Sequence, residues 1–239
     1  MLTHSIIKGL KPFTASLNKA QIILLLLSFI AFNASAQNRI GLSNQISTKF
    51  KISNTWSGNS RLAAREIFFQ NPFPDNQSEV QFEKIELEMV LVRSAGPLSG
   101  IGAGYMVRYA DHHFAHQLIQ QYSFSKTFTS LEISHRFRTE QIFEETKADK
   151  YRIRYRVGFK QSLKNSGQPN NWFLKFNNEY IGSLQNKTGN LEIRALGAVG
   201  YTLSPKNQIE AGMDYRVRDL IRTKTKHDLW LAINWQHNF

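Results

Sequence analysis

The residues with most potential for chemistry are charged and spaced by two. Arg152, Arg154, Arg156 and Lys160 alternate with Tyr151, Ile153, Tyr155, Val157 and Phe159. The same spacing recurs in Glu132, Arg136, Arg138 and Glu140, in Glu192 and Arg194, and in Glu210, Asp214 and Arg216. On a strand, every second side chain shares a face. Guanidiniums and carboxylates on one enclosed face can pair and brace an interior, where losing one partner leaves a poorly solvated charge. Alternatively they can line a watery passage that favours anions. Bracing is the first expectation, because side chains just fill the interiors of small barrels.

Other chemistry is weaker. Asp111, His112, His113 and His116 bring imidazoles and a carboxylate together, the ligand types of zinc or copper. His113 and His116 differ in strand parity, so a solvated loop is expected and no metal or other cofactor is assigned. Ser134 and His135 are adjacent, so they point to opposite faces and cannot form a nucleophile–base pair. No phosphate loop, dinucleotide fingerprint or metalloprotease motif occurs. No catalytic residue is assigned, and the chain is not expected to be an enzyme. Gly100, Gly102 and Gly104 share one parity, which predicts tight interior packing.

Strands must position these residues. Period-two alternation appears over 84–91, 100–109, 131–138, 151–160, 191–201, 209–218 and 229–236, and more weakly over 40–52, 56–69, 114–124 and 171–181. The links at 53–55, 95–98, 125–127 and 204–207 read as short turns. Those at 71–78, 144–150, 183–190 and 219–226 read as longer polar loops, and 165–170 as a link where a short turn is expected. The segments are longer than the usual strand of a soluble sheet and suit a tilted membrane crossing. Tyr109, Tyr151, Tyr180, Tyr201, Tyr215 and Trp235 sit near expected strand ends, where interfacial girdles belong. In lipid every backbone polar group must be paired, so such a sheet must close. The expected fold is an all-β, antiparallel, up-and-down transmembrane barrel of 10–12 strands. Eleven segments are counted, and the even numbers of bacterial single-chain barrels point to ten or twelve.

Residues 1–36 carry three lysines and no acid, then an apolar run over 22–32, then Ala34-Ser35-Ala36. This is the pattern of a cleaved signal peptide, with residues 37–239 as the mature barrel. The formal charge of the 239-residue chain is +12. Cleavage removes three positive charges, and export makes nucleic acid an unexpected partner. The chain has no cysteine, so disulfides and thiolate chemistry are excluded.

Trp235 and Phe239 close the last strand, and this end resembles the assembly signal of bacterial outer-membrane barrels. The resemblance implies the barrel-assembly machinery as a partner, alongside outer-membrane lipid. Lys51 to Ser57, Gly100 to Tyr105, His135 to Gln141, Tyr151 to Arg156 and Asn178 to Tyr180 resemble a family of Gram-negative outer-membrane β-barrels known only as a domain of unknown function, family 2490. That resemblance implies location and fold but no activity. Three roles are open at this point: a structural or passive barrel with a charge-filled lumen, a narrow anion-preferring channel, and a lipid-modifying outer-membrane enzyme.

Overall fold

A computed structural model describes residues 37–71, 80–163, 171–222 and 224–239. The expected signal peptide and the links at 72–78 and 165–170 lie outside these residues. Eleven strands occur among the described residues: β1 (Gln37–Lys51), β2 (Trp56–Asn71), β3 (Gln81–Gly96), β4 (Ser99–Ala110), β5 (His113–Thr127), β6 (Leu131–Glu144), β7 (Lys147–Ser162), β8 (Trp172–Gln185), β9 (Thr188–Ser204), β10 (Asn207–Arg218) and β11 (Lys226–Asn238). Each pairs antiparallel with its chain neighbour, and β1 closes on β11.

The eleven segments read from the sequence are the eleven strands, and the step from eleven to ten or twelve is corrected. An odd number of alternating strands leaves the first and last pointing the same way. The seam is accordingly parallel, in continuous register from Gln37 opposite Lys226 to Lys49 opposite Asn238. The weakly alternating segment 40–52 falls, but for Ile52, in a full strand. One consequence is that Gln37 and Phe239 lie at opposite rims.

Two connections are also corrected. The loops expected at 144–150 and 183–190 are two-residue turns, at Glu145-Thr146 and Asn186-Lys187. Asn186 and Lys187 both have positive φ, 49° and 61°, as a type I′ hairpin turn requires. Asn-Lys lacks the glycine that usually signals this turn. Short and long connections therefore do not alternate rim by rim.

Period two sets the two faces. Along β5 the burial alternates strictly, with Ala115, Gln117 and Ile119 buried and Phe114, His116 and Leu118 exposed. Ile101, Tyr105, Leu87 and Met89 point outward, while Gly100, Gly102 and Met106 are buried. Inside, Val90, Met106 and Ile119 form a small apolar cluster with Val92 packed on it. The β4 glycines leave room for it. A Cβ on Gly104 would lie 2.5 Å from the Met89 carbonyl oxygen and 2.6 Å from Val90 Cγ2. Gly104→Ala is expected to destabilise the barrel by about 1–3 kcal/mol through overpacking. Urea unfolding followed by gel mobility measures this.

Candidate functional site

The interior wall carries all twelve charged residues singled out in the sequence. They project inward because β6, β7, β9 and β10 place alternate side chains there. In register, Arg136 stands opposite Arg156, Arg156 opposite Glu179, Glu179 opposite Arg194, Arg194 opposite Arg216, and Arg216 opposite Asp228. One row of side chains thus crosses six strands with four arginines and two acids.

Ion pairs tie this row to its neighbours. Glu140 is almost wholly buried and lies 2.6 Å from Arg154, 3.5 Å from Arg152 and 3.7 Å from Arg138. Glu179 lies 2.7 Å from Arg154, 3.4 Å from Arg136 and 3.7 Å from Arg194. Arg138 reaches past β5 and β4 to Glu88 on β3, donating to both carboxylate oxygens at 2.9 and 3.1 Å. Gln121 on the intervening β5 accepts from the same guanidinium at 2.8 Å. Glu192 accepts from Arg194 at 2.6 Å, and Asp214 from Arg216. Glu210 holds Lys175 at 2.8 Å. Glu132 lines the open end of the lumen and faces Lys160 in register.

Several participants were not singled out in the sequence. Glu86, Glu88, Glu179, Asp228, Arg39, Arg61 and Arg65 join the network, and Trp230 lies at its centre. Trp230 is fully buried, with the guanidinium carbons of Arg65, Arg39 and Arg216 at 5.2, 5.7 and 6.0 Å from its ring. Asp228 accepts from Arg39 at 2.8 and 3.0 Å. The parity of Glu86, Glu88 and Trp230 was legible. Asp228 is not legible as a wall residue, because 219–226 reads as a loop and the alternation begins at Leu229.

Three cavities follow the axis. A vestibule of about 1030 Å³ opens at the rim that carries Phe239. It shares Arg61, Glu88, Arg136, Arg138 and Arg156 with a middle chamber of about 280 Å³. A third cavity of about 350 Å³ lies at the opposite rim and shares no lining residue with the chamber. Trp230, Glu140 and Ile142 lie between them along their strands. Vestibule and chamber together form a funnel narrowing toward a charged septum. The chamber is lined by nine cations (Arg61, Arg65, Arg136, Arg138, Arg154, Arg156, Lys175, Arg194 and Arg216) and four carboxylates (Glu86, Glu88, Glu179 and Asp214).

The other candidates do not converge. Asp111 and His112 form a two-residue turn with φ of 49° and 63°. His113 lines the third cavity, whereas His116 points outward with Nδ1 2.5 Å from the Tyr105 hydroxyl. Among the described residues no three His, Asp or Glu groups are placed to hold a metal. Ser134 packs near Gly158, while His135 lies against the ring of Phe124 and 2.9 Å from the Tyr155 hydroxyl.

Polar groups on the outer face pair with one another. Tyr215 and His227 repeat the Tyr–His arrangement at 2.6 Å. Thr139 donates to Gln120 at 2.7 Å, and Gln120 and Gln141 exchange amide bonds at 3.1 Å. Aromatics collect toward both rims: Phe82, Tyr109 and Phe114 at one, Trp172 and Tyr201 at the other. Tyr180 is corrected, since β8 runs on to Gln185 and leaves it inside the strand. Trp235 donates to Asn207 at 3.3 Å, and the Phe239 amide bonds the Lys49 carbonyl at 2.9 Å.

Apolar outside and filled inside with paired arginines and carboxylates, the chain is a closed β-barrel with a charged interior. The family model described as "Protein of unknown function (DUF2490)" matches residues 40–239, and the chain belongs to that family. No curated protein matches it.

Proposed function

We propose that the chain is an outer-membrane β-barrel with a structural, passive role and a lumen blocked by its own ion pairs. The observation that carries this reading is the outer coat. Ile153, Ile101, Met213 and Leu87 are 70%, 59%, 56% and 55% exposed, and large apolar side chains are exposed all round the barrel. A monomer in water seldom presents more than a few hundred Å² of contiguous apolar surface. Lipid accepts such a coat, and the strands of 12–17 residues exceed the 9–11 needed for a tilted crossing. The mutual pairing of outward polar groups supports the same reading, because hydrocarbon offers no substitute partner. Residues 1–36 direct export and are removed. The strand ending in Trp235 and Phe239 is handed to the assembly machinery.

Membrane fractionation and heat-modifiable gel migration test this proposal. The chain is expected to sediment with membranes and to run faster unboiled than boiled. Recovery as a soluble periplasmic protein overturns it.

The cationic funnel favours a second reading, an anion-preferring channel. The septum around Trp230 weighs against it. Purified protein in planar bilayers is expected to give no steady current; steady anion-selective conductance would sink the plugged lumen. No catalysis is part of the proposal, so unchanged lipid A and phospholipids are expected in a deletion strain.

A further inference from the structure

The chamber lining has nine cations to four carboxylates, but Glu140, Glu192 and Glu210 just outside it hold Arg154, Arg194 and Lys175, so the uncompensated charge is concentrated at one place. Three arginine pairs face each other directly across adjacent strands: Arg136 with Arg156, Arg138 with Arg154, and Arg194 with Arg216. Like charges directly opposite one another are destabilising. Two of these pairs are compensated within the barrel. Arg138 and Arg154 hold Glu88, Glu140 and Glu179, while Arg194 and Arg216 hold Glu192 and Asp214.

The Arg136–Arg156 pair differs. Arg136 has only Glu179, at 3.4 Å, and that carboxylate is held more closely by Arg154 at 2.7 Å. Arg156 stands opposite Glu179 in register but makes no hydrogen bond or ion pair with a described residue. Both line the junction of vestibule and chamber, so both are reachable from the open rim. Lys160 lines the vestibule nearby, with Glu132 opposite it in register.

We propose that Arg136 and Arg156 form a binding site, at the neck of the funnel, for a small soluble oxyanion of the phosphate or diphosphate class. Two guanidinium forks suit a tetrahedral oxyanion, which accepts paired N–H bonds from each. Two adjacent guanidiniums without carboxylates of their own favour a multiply charged ligand over chloride. The chamber of about 280 Å³ lies just under the usual range of ligand pockets, which restricts the occupant to a small one. This proposal goes beyond the membrane reading and does not depend on it.

The test is calorimetric titration of the folded full chain, in detergent micelles, with sodium pyrophosphate at constant ionic strength. Saturable binding is expected. Arg156→Gln is expected to weaken it at least tenfold while leaving the unfolding midpoint unchanged, because the substitution breaks no hydrogen bond or ion pair and removes repulsion from Arg136 along with attraction to Glu179. The paired substitution of Lys49→Gln and Lys51→Gln, at the vestibule mouth, is expected to weaken binding by less than threefold. Absence of saturable binding overturns the proposal, as does equal affinity in Arg156→Gln. Unfolding of Arg156→Gln would show the residue to be structural and would also overturn it. Phosphatidic acid in mixed micelles is the last arm. Retention of that lipid without retention of pyrophosphate would overturn the soluble ligand in favour of a headgroup. Failure of any arm leaves membrane fractionation unaffected, so the two readings fail separately.

Discussion

Glu140→Gln is expected to lower the unfolding free energy of the barrel by about 3–5 kcal/mol, the usual cost of removing one partner from a buried ionic cluster. The amide keeps the shape of the side chain and removes its charge. Three guanidiniums surround Glu140, those of Arg154, Arg152 and Arg138. Arg154 retains Glu179 and Arg138 retains Glu88, but among the described residues Arg152 is left without an ion pair. Glu144→Gln is the matched control. Its partner Lys147 is 56% exposed in the side chain, and such surface pairs contribute about 0–1 kcal/mol. Urea titration of both variants, read as the fraction retaining folded gel mobility, separates the two. Equal losses would mean that the lumen is wet enough to screen its charges.

Met213→Arg is expected to destabilise the barrel by about 2–4 kcal/mol in lipid vesicles, the cost of an arginine near the bilayer midplane of a barrel's lipid face. The same substitution on a water-facing surface changes stability by about 0.5 kcal/mol at most. Met213 is suited to this comparison. It points outward near the middle of β10, stands opposite Gly197 and Leu231, and is not needed for any ion pair. A neutral outcome would count against the lipid-facing coat, since nothing inside the barrel is altered.

How much of this was legible varies by element. β7 was readable almost completely, because Arg152, Arg154 and Arg156 between aromatic and aliphatic neighbours leave only one way to face a strand. Parity was equally clear for Glu140 and Arg138. Ion partners were not. Arg138 finds Glu88 across two intervening strands, 50 residues away in sequence, and parity alone cannot rank partners across a lumen. Glu179 lies in a strand of weak alternation, between Asn178 and Tyr180, so the sequence marks the carboxylate serving three arginines only through the family resemblance. Trp230 had inward parity, but aromatics in such a chain are first read as interfacial anchors. Counting alternating segments gives the strand number, whereas the even-number rule of bacterial barrels fails here because the β1–β11 seam is parallel. The turns at Asn186-Lys187 and Glu145-Thr146 carry polar residues without glycine, which is why they looked like longer loops.

The proposed membrane barrel requires the apolar coat to meet lipid while the charged face is enclosed. The chain has no cysteine, so a single Leu87→Cys label reports from one outward position, 55% exposed on β3. A fluorophore there, with protein reconstituted in vesicles, can be challenged by brominated lipid chains and by aqueous iodide. A second label at Ser123→Cys reports from the vestibule. The Leu87 label is expected to be quenched by bromolipid and shielded from iodide, with the reverse at Ser123. Quenching of the Leu87 label by iodide alone would contradict the lipid-facing coat.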